Sequence, residues 1–179
     1  AAQSLVFFEQ AAELQAADPE AAERAGRTGI VLEPLRKERR EDGIDYAHLR
    51  LAVDRARRTA TLTLLGPERG GALPKEPARL GSAWYPRALF RERDDALVEL
   101  RCNFEEGGLL LLRSEGELER VLEVDRQLQQ AREGWFGREV LLFLRRTLKR
   151  LDLTARTLFT LIEPGSCFGG FLFEAALAS

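Results

Sequence analysis

Apolar positions along this chain change their spacing several times, and each change predicts a different element. From Ala47 the spacing is two: Ala47, Leu49, Leu51 and Val53 share one face, then Ala60, Leu62 and Leu64 alternate with Thr59, Thr61 and Thr63. A period of two with one apolar face predicts half-buried strands, here a hairpin turning near Arg55 to Arg58. The stretch from Gly66 to Gly81 repeats glycine around Pro67, Pro74 and Pro77, so it is expected to run over the surface as a loop. Beyond it the spacing becomes helical. Pro86 suits the first turn of a helix, and Leu89, Leu97, Leu100 and Phe104 recur against a face of Arg93, Asp94 and Glu99 until Gly107-Gly108 ends the run. Leu109 to Leu112 is short and continuously apolar, the profile of a strand covered on both faces. Two amphipathic helices follow, one marked by Leu118, Val121, Leu122 and Leu128, the other by Leu141, Leu144, Leu148 and Leu151. Leu158 to Ile162 reads as a second buried strand, leading through a glycine turn into a last helix. Strands separated by helices need crossover connections, which predicts a parallel sheet and an α/β fold.

The front of the chain reads differently. Residues 1 to 26 are rich in Ala, Glu and Gln and predict two short helices, the second capped by Asp18 with Pro19 in its first turn. Gly26 to Asp45 carries Gly29, Pro34, the run Arg36-Lys37-Glu38-Arg39-Arg40-Glu41 and Gly43, which suits an exposed connector. The expected organisation is therefore a helical lead-in and charged linker over 1–43, then one α/β domain over 44–179. The chain has no methionine and stops at Ala178-Ser179 inside an apolar helical pattern without a cap. It is expected to be a piece of a longer protein, cut at its C-terminal end.

Composition narrows the class without choosing a function. At 179 residues and 45% hydrophobic the chain has material for one sizeable core. Lys and Arg total 27 against 29 Asp and Glu, a net charge of −2, so no overall field draws in nucleic acid. The basic run Arg145, Arg146, Lys149 and Arg150 has no aromatic residues interleaved, and no nucleic-acid partner is expected. It reads as a solvated helix face, with coenzyme phosphates as its alternative partner. No apolar run nears the roughly 18 residues of a membrane helix and no leader pattern opens the chain, so a cytoplasmic, membrane-free location is expected. Cys102 and Cys167 lie far apart with a single histidine, His48, which argues against a zinc or disulfide framework. Asp94, Asp95 and Glu99 form an acidic patch without an oxygen-ligand loop, and no metal is expected there. His48 alternates with the apolar face of its strand, so it is expected to meet solvent or a covering loop and receives no role. Trp84-Tyr85 and Trp135-Phe136 read as staples anchoring helix starts rather than as walls of an aromatic pocket.

Candidate chemistry gathers in Glu163-Pro164-Gly165-Ser166-Cys167-Phe168-Gly169-Gly170, where a strand must stop, reverse and feed a helix. Glycines let the backbone approach a ligand closely, and the free N–H groups at the helix start attract negative charge. The order hairpin, long loop, helix, strand, helices, strand, glycine turn, helix resembles the crotonase (enoyl-CoA hydratase/isomerase) superfamily over about residues 44 to 179. The strings WYPRALFRERDDALVELRCNFEEGGLLLL, REVLLFLRRTLKRLDLTARTLFTLIEPGSCF and LEPLRKERREDGIDYAHLRLAVDRARRTATLTL are similar to the later half of a two-halved branch of that superfamily. That branch opens the ring of an epoxidised benzoyl-CoA thioester with water in aerobic benzoate degradation, releasing a semialdehyde and formate.

The resemblance implies a crotonase-like spiral of ββα units, incomplete here, and an oxyanion hole of two backbone N–H groups that polarise the thioester. The second of these positions matches Cys167, Phe168, Gly169 and Gly170. The first follows Leu109 to Leu112, where Arg113-Ser114-Glu115-Gly116 departs from the family's small-residue loop. The family's helix glutamate, a general acid/base, matches Glu174, one residue later than the commoner spacing, which falls on Phe173. As an alternative, Glu174 is an ordinary carboxylate near a helix start. Cys167 beside a helix start invites a nucleophile reading, but a small turn residue suits it better. The resemblance implies an acyl-CoA substrate, coenzyme A entering as part of that substrate with no separate cofactor or metal, and as partners the remainder of a longer chain and further copies in a homo-oligomer. The competing class is a catalytically degenerate crotonase-like module serving as scaffold or oligomerisation half, supporting a catalytic half that precedes residue 1.

Overall fold

The structure is a computed structural model that describes residues 29–179. The two lead-in helices expected over residues 1 to 26 lie outside the described residues. The chain divides into two compact units, Ala1–Ile30 and Val31–Ser179, and every element below belongs to the second.

A six-stranded sheet runs in sequence order: β1 (Lys37–Arg40), β2 (Gly43–Tyr46), β3 (Leu49–Asp54), β4 (Thr59–Leu65), β5 (Leu109–Glu115) and β6 (Thr157–Thr160). The first four strands form an antiparallel meander, and β4, β5 and β6 are parallel. The crossover between β4 and β5 contains the single turn α1 (Pro77–Leu80) and the long helix α2 (Tyr85–Asn103). That between β5 and β6 contains α3 (Leu118–Ala131) and α4 (Trp135–Asp152), and α5 (Gly170–Leu177) follows the last strand. The mixed α/β architecture and its parallel crossovers match the spacing of apolar residues. No helix among the described residues is long and apolar enough to cross a membrane.

Register explains how one face becomes the core. Leu51 opposes Leu62, Leu49 opposes Leu64, and Ala60 and Leu62 stand beside Leu110 and Leu112, so apolar side chains line up across three strands on one side. Leu49, Leu51, Leu62, Leu64, Leu110 and Leu112 are all fully buried. Helix residues complete this core: Leu89, Phe90 and Leu100 from α2, Val121, Val124 and Leu128 from α3, Phe136, Val140 and Leu144 from α4, Phe171 and Leu172 from α5. Trp84, just before α2, is buried beside Phe136, whereas Trp135 is 48% exposed.

Four expectations need correction. The charged run before residue 44 is not an exposed connector, because Lys37–Arg40 pairs with Gly43–Tyr46 as the outer hairpin of the sheet. Its charges are compensated from α2: Lys37 Nζ donates to Asp95 at 2.6 Å and Glu99 at 2.8 Å, Arg39 pairs with Glu99, and the Tyr46 hydroxyl donates to Asp95 at 2.6 Å. Burial opposes the Lys37 charge, but these carboxylates outweigh it and hold its pKa above the ordinary value. Arg93 is not on a solvated face; it is fully buried between α2 and α4, with its guanidinium stacked 4.2 Å from the Phe90 ring centre and one N–H donated to Thr147 Oγ1 at 2.9 Å. The strand β5 is covered on one face only, since Leu109, Leu111 and Arg113 stay part-exposed while Leu110, Leu112 and Ser114 are buried. The last strand is shorter than expected and is an edge strand, with Phe159 at 56% and Ile162 at 65% exposure.

Candidate functional site

The parallel strands set up the site. Three loops leave the carboxyl ends of β4, β5 and β6 at Gly66, Gly116 and Gly165, and open α/β sheets place ligands outside those ends. Gly66 N–H donates to the Glu115 carbonyl at 2.7 Å, and Gly116 N–H donates to the Gly165 carbonyl at 3.2 Å. The contact is close enough that a Cβ built on Gly116 would stand 2.9 Å from the Gly66 Cα. Only glycines permit backbones to meet this way.

The glycine turn is fastened from both sides. Cys167 is fully buried and its N–H donates to Ser114 Oγ at 2.9 Å. Burial pushes the Cys167 thiol up, with hydrogen bonding to Ser114 opposing, so it is held as the protonated, less nucleophilic form. Gly170 opens α5 with φ of 48°, a left-handed conformation that excludes most side chains. The space a Cβ would take there is filled by Asp125 of α3, whose Oδ1 accepts the Phe171 N–H at 3.0 Å. A carboxylate reaching a helix start from a neighbouring helix satisfies an otherwise open donor and suits the helix dipole. Of the four positions matched to the second oxyanion N–H, Cys167 thus spends its N–H on Ser114. Among the described residues, Phe168, Gly169 and Gly170 have no acceptor for theirs.

Glu174 is exposed, one turn into α5, and borders a cleft of about 370 Å³ between α3, α4 and α5. Leu141, Leu144, Leu148 and Phe171 form its apolar floor, with Asp125, Gln129 and Arg145 at the rim. The remaining basic residues of that run, Arg146, Lys149 and Arg150, line a separate cleft toward the ends of α2 and α4, with Leu97, Val98, Arg101 and Leu153. Arg150 there pairs with Asp94 at 2.9 Å. Asp95 and Glu99, the rest of the acidic patch, are bonded to Lys37 and Arg39, and no group of three or more candidate metal ligands occurs among the described residues.

One cluster carried no role in the sequence reading. His48 Nδ1 lies 3.0 Å from Glu92 Oε1, and the His48 N–H donates to Glu92 Oε2 at 2.8 Å. The Tyr85 ring meets the His48 ring edge-on at 5.4 Å and packs on Phe171 at 6.2 Å, while its hydroxyl donates to the Leu65 carbonyl at 2.7 Å. Burial, and then the nearby Cys167 and Glu92, push the Tyr85 hydroxyl well above the ordinary tyrosine range. A sequence signal for this cluster existed: Glu92 and Arg93 stand three and four residues after Leu89, on the apolar stripe of α2.

By fold and site, then, this is a mixed α/β protein whose parallel strands end in a glycine turn that starts a helix beside an apolar cleft. No family model matches the chain. Among curated proteins it is similar to part of benzoyl-CoA-dihydrodiol lyase from Aromatoleum evansii, at 41% identity over 158 residues. The match takes in 87% of this chain, and the chain spans 28% of that relative's length.

Proposed function

We propose that this chain is a crotonase-type part of a CoA-thioester lyase that opens the ring of 2,3-epoxybenzoyl-CoA in aerobic benzoate degradation. The observation that carries the reading is the 41% identity to benzoyl-CoA-dihydrodiol lyase over most of the chain. The parallel strands, the glycine turn and the cleft bordered by Glu174 are compatible with it. In this reading the unengaged N–H groups of Phe168 to Gly170 face developing charge on the thioester oxygen, Glu174 handles a proton, and coenzyme A arrives with the substrate. The exposed edge at Phe159 and Ile162 supports association with the remainder of a longer chain or with further copies.

Turnover of 2,3-epoxybenzoyl-CoA by the full-length protein, with and without Glu174→Gln, tests this. A loss of about 100-fold or more in kcat is expected, the lower end of what a positioned acid or base contributes. An unchanged rate moves the chemistry outside this segment. That outcome would favour the second reading, a crotonase-like module that has lost its own chemistry and serves as a scaffold. Ser114 and Asp125 favour it, because each takes an N–H that an oxyanion hole at this turn could use.

A further inference from the structure

Glu92 is only 4% exposed, yet both its oxygens are given to one residue, His48: Oε2 to the backbone N–H and Oε1 to the ring Nδ1. Among the described residues no lysine or arginine bonds this carboxylate. A buried carboxylate without a permanent cation is costly to keep, and an apolar side chain would fill the same space more stably. What the carboxylate does accomplish is local. A carboxylate only accepts, which favours the tautomer with the hydrogen on Nδ1, orients the ring and leaves Nε2 as the nitrogen that can take a proton. The imidazole side chain is 28% exposed, so it is not sealed from the solvent side.

The place in the fold matters as much as the pair. The His48 carbonyl accepts the Leu65 N–H at 2.9 Å, which sets the residue at the carboxyl end of β4, one position before the Gly66 loop that touches Gly116. Tyr85 bridges from the His48 ring to Phe171 in the first turn of α5. The histidine therefore stands at the same end of the parallel strands as the glycine turn, where ligands of such sheets gather.

We propose that His48 is a proton-transferring residue at this carboxyl end of the parallel strands and that Glu92 is the residue that positions it. The identity of the substrate rests on the lyase reading above: a ring that carries an epoxide or hydroxyls on a CoA thioester. In that setting Nε2 takes a proton from water as the water oxygen bonds to a ring carbon. The epoxide C–O bond breaks, its electron pair stays on the departing oxygen, and the proton on Nε2 passes to that oxygen. One water is added and nothing is oxidised or reduced. A structural clamp between the β2–β3 turn and α2 would need the same contacts but not the free lone pair.

Glu92→Gln separates the two roles, because its amide oxygen still accepts the backbone N–H while its NH₂ faces Nδ1 and moves the ring hydrogen to Nε2. Diethyl pyrocarbonate acylates the ring nitrogen that holds the lone pair, and peptide mapping by mass spectrometry reads the modification at His48. The expected result is acylation in the native chain and a rate lower by about tenfold in Glu92→Gln, with the circular dichroism spectrum unchanged. Equal rates would overturn the positioning role. In the full-length protein, His48→Gln should lower kcat on 2,3-epoxybenzoyl-CoA about 100-fold with KM held within a few-fold, and an unchanged kcat overturns the catalytic role. If the native protein leaves this thioester untouched, the lyase reading fails by itself, and the acylation rates still decide whether Glu92 positions His48.

Discussion

At the β1 end of the sheet, Lys37, Arg39 and Tyr46 reach across to Asp95 and Glu99 on α2, and Asn103 adds a further donor to Glu99. These donors hold the Glu99 carboxyl below the ordinary range against the effect of burial, which acts first and in the opposite direction. At the β6 end the ties are of another kind, running mostly to backbone carbonyls. Arg156 fixes the start of the strand by donating to the carbonyls of Leu100 and Phe104, both at 2.8 Å, and the Arg113–Glu163 pair is exposed. Beyond them Phe159, Ile162 and Leu177 are each more than half exposed, while Leu49, Leu51 and Leu62 are fully buried. The antiparallel side closes on its own helix. The parallel side, which carries the glycine turn, presents apolar surface that nothing among the described residues covers. Charged side chains fasten the antiparallel side to α2, and part of the exposed apolar surface lies on the side that carries the glycine turn.

Three substitutions test that contrast, in order of size. Leu62→Ala removes a fully buried side chain at the centre of the sheet and should cost about 3–5 kcal/mol in urea unfolding; a cost near zero would mean that the core does not center on β4.

Arg93→Met should act in the opposite direction. Burial pushes the Arg93 guanidinium down to about 10, below the ordinary arginine range, and its Nε and Nη1 have no hydrogen-bond partner among the described residues. A base whose pKa falls on folding destabilises the native state wherever it stays charged. Here that means fully below pH 10, with relief as pH rises above 10 toward the ordinary arginine range. Replacement by methionine is therefore expected to raise stability by about 1–3 kcal/mol at pH 7, with the gain shrinking above pH 10. A loss at pH 7 would show that the Phe90 stack and the Thr147 bond outweigh desolvation.

The smallest effect is expected at the open edge. Phe159→Lys should change unfolding by no more than about 0.5 kcal/mol, as for most surface positions, while reducing self-association in sedimentation velocity. A large destabilisation would place Phe159 in a packed core after all.

Legibility in the sequence followed the range of the interaction. The hairpin of β3 and β4 and the start of α2 at Pro86 were readable, because alternation, proline and helical spacing act within a few residues. The strand β1 was not, since Lys-Glu-Arg-Arg has no strand signature and owes its place to partners on α2 about 60 residues away. An apolar run such as Leu109 to Leu112 spells the same whether one face or two are covered, so the exposure of Leu111 and Phe159 could not be read from it. For the candidate site, the glycine turn was legible from its residues. Asp125 at the start of α5 was not, because no local pattern says which carboxylate of a preceding helix will reach it. Spacing alone puts Arg93 among the solvated charges of α2, and Glu92, a charge on the same apolar stripe, carries no local mark that sets it apart.

Gly66 and Gly116 also bear on how this protein can change over time. Their backbones meet closely: a Cβ on Gly116 would stand 2.9 Å from the Gly66 Cα, and one on Gly66 would stand 3.2 Å from the Gly116 Cα. A side chain at Gly116 has no space unless the Gly66 backbone gives way, and glycine at Gly66 already leaves the most room a residue can, so no substitution there compensates. The two positions are therefore constrained together where the loops after β4 and β5 meet.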